Sequence, residues 1–139
     1  MKDTRVVVIG GTSGIGFAVA QRVLLEGAHV MVGSSSADKV DEAVSRLGNR
    51  ASGHTVDVRE EADVAAFFEV AGPFEHLVYT AGDWGAVRRG GTIADLDLSN
   101  ANDIFAVRFW GAVAAIKYAQ EQMATDGSIT LTDGAIAHR

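Results

Sequence analysis

Three glycines, Gly10, Gly14 and Gly16, follow directly on the run Val6-Val7-Val8-Ile9, with Thr12, Ser13 and Ile15 set among them. These are the residues whose types and spacing best suit chemistry. Glycine lets a backbone turn tightly and come close to a ligand, where a Cβ would collide. A helical pattern begins at once, so exposed N–H groups with partial positive charge would face an anion there. The chemistry indicated is the cradling of a nucleotide pyrophosphate.

Other groupings are weaker. Gly11-Thr12-Ser13-Gly14 misses the Gly-x-Ser-x-Gly spacing of a nucleophile elbow by one residue. His29, His54, His76 and His138 fall on different elements without metal-ligand spacing, and read as strand-end residues for the first three. Glu60, Glu61 and Asp63 cluster where a helix begins, which suits its dipole. No metal site is expected. The absence of cysteine excludes disulfides, thiolate metal sites and cysteine nucleophiles together. A formal net charge of −6 argues against a nucleic-acid surface, which needs clustered Lys and Arg.

The elements that position the glycine turn follow from hydrophobic period. Val6–Ile9 is a continuous apolar run, as expected for a strand buried on both faces. A first helix over 14–26 carries Ile15, Val19 and Val23 on one face and stops at Gly27. A second strand spans Val30–Val32, and a second helix has Val40, Ala43, Val44 and Leu47 before Gly48. The third strand is expected over His54–Val58. A third helix, with Val64, Phe67, Phe68 and Ala71, ends at Gly72-Pro73, and the fourth strand is His76–Thr80.

A glycine-rich loop over 81–91 leads to a short helix near Ile93–Leu98, a long helix over 101–123 and a fifth strand, Ser128–Thr132. Strands alternating with helices indicate an α/β fold: a Rossmann-like, doubly wound parallel sheet of five strands. Right-handed crossovers place them in order 3-2-1-4-5 in three α/β/α layers, with the ligand crevice between strands 1 and 4. The 139 residues read as one domain, and 47% hydrophobic content with a single proline points away from disorder. No signal-peptide core and no apolar run of about 18 residues occurs, so a cytoplasmic protein without a membrane partner is expected. The helix over 101–123 is apolar nearly all round, so something must cover its second face. With a fifth strand at the sheet edge, a homo-oligomer through that helix is expected.

The spacing Gly10-x-x-x-Gly14-x-Gly16, together with Asp57-Val58, Tyr79-Thr80-Ala81-Gly82 and Gly127-Ser128-Ile129, resembles the short-chain dehydrogenase/reductase family over essentially the whole chain, as the N-terminal part of that fold. The resemblance implies that Gly10, Gly14 and Gly16 bind the dinucleotide, with Ile9 standing for a usual Thr. It places Asp57 against the adenine and keeps Ala81-Gly82, while Tyr79 and Thr80 stand where two Asn are usual. An acid ending the second strand would hold the ribose hydroxyls of NAD. Here Ser34 and Ser35 follow instead, so NADP is favoured and NAD stays open. The Arg that often grips the 2′-phosphate is replaced by Ser35, and Ser13 replaces another frequent base. Ser35 reads either as a cap of the second helix with Asp38 alone, or as a cap that also contacts phosphate.

The family's hydride transfer between a small-molecule carbonyl and an alcohol uses an Asn, a Ser and a Tyr-x-x-x-Lys pair, the Lys lowering the Tyr pKa. Arg108 stands at the Asn position and Asp133-Gly134 at the Ser pair, so Gly134 replaces the hydroxyl. No Tyr-x-x-x-Lys occurs, and adjacent Lys117 and Tyr118 are expected on different sides of a helix. Arg108 reads as an ion pair with Asp103 or another acid in preference to a cation holding a substrate anion. Asp133 reads as a cap or turn residue rather than a replacement acid/base. Trp84, Arg88 and Arg89 lie over the expected crevice, where solvated loop and substrate contact are both open. Two functions follow: an oxidoreductase whose proton donor lies outside these residues, or a non-catalytic dinucleotide-binding module, sensor or inert fragment.

Overall fold

The computed structural model describes residues 1–82, 92–95, 98, 102 and 105–132. The elements run β1 (Arg5–Ile9), α1 (Gly14–Leu25), β2 (His29–Ser34), α2 (Ala37–Leu47), β3 (Ala51–Thr55), α3 (Glu61–Ala71) and β4 (Phe74–Tyr79). A 3-10 turn at Ile93–Asp95 follows, then a π-helical turn at Ala106–Trp110 that leads into α4 (Gly111–Ala119), and β5 (Met123–Leu131). Every pairing is parallel, in the order β3-β2-β1-β4-β5, as the alternation of short strands and helices implied.

β1 shows why its run has no polar alternation. Val6 and Val8, with Val30 and Val32, face α1 and α2 through Phe17, Ala20, Val23 and Ala43. Val7 and Ile9, with Leu77 and Tyr79, face α3 and α4 through Val64, Phe67, Phe68, Ala112 and Ala115. No residue of Val6–Ile9 is more than 2% exposed, so both faces demand apolar side chains. The strands' C-terminal ends then emerge together between the two helical layers, and the ligand crevice of such a sheet opens at those ends.

Several boundaries differ from the apolar pattern, for physical reasons. β3 is Ala51–Thr55, earlier than the expected His54–Val58. As an edge strand it pairs only with β2, and its Ala-Ser-Gly-His-Thr residues are polar and largely exposed. Val56 and Val58 lie past it and seal the core beside α3. β2 is longer than its apolar centre because pairing with β1 continues beyond it, whereas β4 starts at Phe74, before His76, because Phe74 pairs with Met123 of β5, and it ends at Tyr79. β5 begins at Met123, not Ser128, because Met123 pairs with Phe74 across an irregularity in the ladder. The preceding helix therefore stops at Ala119 rather than Met123, with Gln122 N donating to the Ala119 carbonyl and Phe74 N to that of Gln122. Residues 101, 103 and 104 of the expected long helix lie outside the described residues.

On α1 the buried face is Gly16, Phe17, Ala20 and Val23, so Ile15 does not join Val19 and Val23 on the core side as expected; it is 67% exposed. The glycine turn sets the helix phase, because Gly16 packs against β1 and β4 and turns Ile15 outward. α4 presents Gly111, Ala112, Ala115 and Ala119 to the sheet and leaves Val113 exposed, as Phe109 and Trp110 are in the π-helical turn before it.

Candidate functional site

The C-terminal ends of β1, β2, β4 and β5 open into a cleft of about 660 Å³. The structure brings together in its walls every residue singled out for the dinucleotide. Gly10, Thr12, Ser13, Gly14, Ile15 and Gly16 come from the glycine turn, and Ser34 and Ser35 from the end of β2. Asp57 and Val58 come from beyond β3, and Thr80, Ala81 and Gly82 from beyond β4. Ile9, Lys39, Val56, Arg59, Val107, Arg108 and Thr132 line it as well.

The turn is built by close approach. Gly10 has φ +86°, a conformation that L side chains rarely adopt, and a Cβ there would come 2.6 Å from Ala81 N. A Cβ on Gly16 would overlap the Gly10 carbonyl and Thr80 Oγ1. The Thr80 hydroxyl, 3.2 Å from both the Ile9 and Gly10 carbonyls, shares its proton between them. Thr80 thus ties the glycine turn to β4. Ser13 is the N-cap of α1 but its side chain makes no capping bond, and Phe17 N is the first N–H to bond back, to Ser13 O. The first-turn N–H groups of α1 are therefore not covered by a capping hydroxyl, as an anion site requires.

At the β2 side the cap of α2 is Ser36, whose Oγ accepts from Lys39 N at 3.4 Å, and not Ser35 with Asp38. The chain takes one more extended residue before the helix starts, which leaves Ser35 exposed on the cleft wall. Asp57 is held by Arg59 in a fork, Nε to Oδ1 at 3.0 Å and Nη2 to Oδ2 at 3.0 Å, with Arg59 N adding a bond of 3.1 Å. The Arg59 side-chain hydrogen bonds hold the Asp57 carboxyl below its ordinary pKa, against the opposing pull of burial.

At the β4–β5 side, Tyr79 and Thr80 take up new work in place of two Asn. The Tyr79 hydroxyl donates to the Val107 carbonyl at 2.5 Å, while Thr132 N and Oγ1 donate to the Tyr79 carbonyl at 3.1 and 3.2 Å. Burial pushes the Tyr79 pKa far above its usual value, though the nearby Arg108 charge opposes the shift. Tyr79 is therefore a neutral donor at any ordinary pH. Tyr79→Phe is expected to leave the Val107 carbonyl without its donor and to cost about 1–3 kcal/mol. Urea unfolding measures this; a midpoint equal to wild type would show that the bond carries no stability.

Arg108 lies in the cleft wall, and its guanidinium carbon is 2.6 Å from where a Gly82 Cβ would stand. Its suggested partner Asp103 is outside the described residues, as are Trp84, Arg88, Arg89, Asp133, Gly134 and His138. Lys117 and Tyr118 do not diverge as expected. Lys117 Nζ and the Tyr118 hydroxyl both reach Glu61 Oε1, at 2.6 and 2.8 Å, and tie α4 to the start of α3 away from the cleft. These bonds, that of Lys117 foremost, hold the exposed Glu61 carboxyl below its ordinary pKa. His29 heads β2 and His54 lies within β3, whereas His76 is inside β4 with Nδ1 2.9 Å from Ser128 Oγ. Among the described residues no three His, Asp or Glu side chains could hold a metal ion. Among them, too, no helix is long and apolar enough to cross a membrane.

Sequence reading missed Lys39, Arg59, Val107 and Thr132. A lysine in the first turn of a helix and an arginine in a loop look like solvated charges, and only the fold carries them to one wall.

The short chain dehydrogenase family model matches residues 4–136. The short-chain dehydrogenase/reductase ucsE of Acremonium sp is 35% identical over 148 residues, covering 93% of this chain and 55% of the relative. The reductase/Diels-Alderase MalC of Malbranchea aurantiaca superposes with a TM-score of 0.83 at 26% identity, covering 96% of this chain and 57% of the other. A variant of the actinorhodin polyketide ketoreductase, solved with NADPH, gives 0.77 at 29% identity, covering 88% of this chain and 49% of the other. The chain spans about half the length of the relatives it matches.

Proposed function

Because the chain belongs to the short-chain dehydrogenase/reductase family, we propose that it forms the cofactor cleft of an NADP-dependent oxidoreductase that interconverts a small carbonyl compound and an alcohol. The observation that carries this reading is the three-way approach of Gly10, Gly16 and Thr80, a cradle that one Cβ would fill. Around it, α1 turns uncapped N–H groups toward the site of a pyrophosphate. Gly10 through Gly16 would hold the phosphates, Asp57 and Val58 the adenine, and Ser34 and Ser35 the ribose. A bound nicotinamide would supply or take the hydride. Ala81, Gly82 and Thr132 shape the wall at the β4–β5 side.

The end of β2 presents serines and no acid, which favours a 2′-phosphate. The proton donor would come from outside these residues, because neither Tyr79 nor Tyr118 has a lysine four positions later. The exposed Phe109 and Trp110 of the π-helical turn and Val113 of α4 support a homo-oligomer through that face.

A second reading, a dinucleotide-binding module without catalysis, is favoured by Arg108 in the cleft where the family has an Asn. Fluorescence titration with NADPH and NADH, followed by assay against aldehydes and ketones, separates the two. The expected result is saturable NADPH binding, tighter than NADH, with no turnover by these residues alone. Turnover would show a proton donor within the chain, and failure to bind either nucleotide would end the dinucleotide reading. Light scattering on the same preparation should give a mass above that of one chain.

A further inference from the structure

We infer that Arg108, in the π-helical turn before α4, holds a carboxylate at the β4–β5 end of the cleft, so that the compound taken there is an oxo acid or a hydroxy acid. This deepens the proposed function, and rests on it for which end of the cleft is the reacting one.

The first observation is how the turn places Arg108. Within Ala106–Trp110 the side chains of Phe109 and Trp110 are exposed, whereas Arg108 is half-buried and lines the cleft. Burial alone would choose the reverse, since the aromatics gain by leaving water and the cation loses hydration. Two contacts fix the turn around it. The Val107 carbonyl accepts from the buried Tyr79 hydroxyl at 2.5 Å, and a Cβ on Gly111 would come 2.5 Å from that same hydroxyl. Arg108 is thus held between two residues anchored on Tyr79.

Space is the second. The guanidinium carbon and Nη2 both lie 2.6 Å from where a Gly82 Cβ would stand, so any side chain at that position would push the group aside. Gly82 follows Ala81, whose N closes on the Gly10 turn. The guanidinium therefore lies past the glycine turn, across β1 from Ser34 and Ser35 in the order β3-β2-β1-β4-β5. With the ribose at the end of β2 and the pyrophosphate at the end of β1, that side takes the nicotinamide and the compound it reacts with.

Charge is the third. Among the described residues Asp57 is the only acid in the cleft wall, and Arg59 grips it with a two-bond fork beyond β3. The described wall at the β4–β5 end presents a cation and no acid. A planar guanidinium offers parallel N–H groups that match the two oxygens of a carboxylate. Its several donors let it do so alongside the protein contact it already makes. In a half-buried wall such a bond is stronger than in open water.

The test is calorimetric titration of the full chain, bare and saturated with NADPH, with 4-acetylbenzoate and its neutral amide, 4-acetylbenzamide. The wild-type chain should bind the acid about ten-fold more tightly than the amide, a preference that shrinks as salt rises. Arg108→Gln should lose the preference, with the amide and NADPH each within about two-fold of wild type. Arg108→Lys keeps the charge without the fork and should restore part of it. Equal binding of acid and amide, binding of neither, or a preference that survives Arg108→Gln would overturn the inference. An Arg108→Gln protein that loses NADPH as well would also overturn it, because the anion held would be the dinucleotide's own pyrophosphate. A chain that binds NADPH without preferring the acid leaves the dinucleotide reading standing. A chain that prefers the acid yet binds no nucleotide ends that reading alone. Unfolding midpoints matched to wild type tie each loss to the guanidinium, and if the glutamine variant does not fold, the wild-type comparison and Arg108→Lys decide.

Discussion

Gly16→Ala should abolish saturable dinucleotide binding and destabilise the chain by about 1–3 kcal/mol or more, the usual range for overpacking. The new methyl would sit where the Gly10 carbonyl and Thr80 Oγ1 already are. One of these is backbone at the end of β1, and the other is held by hydrogen bonds to Ile9 and Gly10. Neither can swing aside as the tip of a long side chain could. The turn must open, and the N–H groups of α1 then lose their aim. Gly14→Ala is the informative contrast. Gly14 has φ +53° but nothing within 4 Å of a built Cβ, so the cost should be the left-handed strain alone, about 1–2 kcal/mol. Urea unfolding with NADPH titration of both variants measures the difference. A Gly16→Ala protein as stable as wild type, binding NADPH equally well, would remove the cradle from the account of the site.

The largest loss of stability is expected for Phe67→Ala, about 3–5 kcal/mol out of the roughly 5–15 kcal/mol typical of a domain. Phe67 is fully buried and meets Phe68 edge-on at 5.4 Å, and Phe68 stacks on Phe74 at 5.8 Å. The truncation would leave a void in the layer between α3 and the sheet. It should also reach the site, because Phe67 packs under Gly33, one residue before Ser34 on the cleft wall. Nucleotide affinity should therefore fall together with the unfolding midpoint. Val70→Ala, on the same helix but 59% exposed, should stay within about 0.5 kcal/mol of wild type. Equal effects at the two positions would show that the aromatic layer does not support the fold as described.

Legibility varied along the chain with how local the deciding physics was. Val6–Ile9 followed by Gly10, Gly14 and Gly16 could be read because a doubly buried strand and a tight turn each leave a mark within a few residues. β3 could not, because an edge strand needs no apolar residues and Val56 and Val58 drew the expectation past its end. The helix before β5 is shorter than its apolar pattern implies for a related reason. Met123 suits either element, and only its pairing with Phe74 assigns it to the strand. The spacing of Ile15 to Val19 and Val23 is helical and implies an inward side chain, but the contact of Gly16 with Gly10 overrides that phase.

The site divides in the same way. Residues bound to the cleft by backbone geometry, from Gly10 through Gly16, were visible in one dimension. Those that reach it by side chain were not, since Lys39, Arg59 and Thr132 come from three separate elements. Ser36 displaced Ser35 as the cap of α2 because one extended residue more or less is decided by how β2 ends, not by the identity of adjacent serines.

By itself, then, the sequence determined the alternation of strands and helices, the parallel order and the glycine turn, because periodicity, glycine spacing and chain handedness are local or nearly universal constraints. Only the tertiary structure decided that Tyr79 bonds to Val107, that Arg108 lies across Gly82, and that Lys39 lines the same cleft as Ser34 and Ser35. Those are meetings of residues distant in sequence or separated by a turn, and their geometry exists only after the sheet has drawn the elements together.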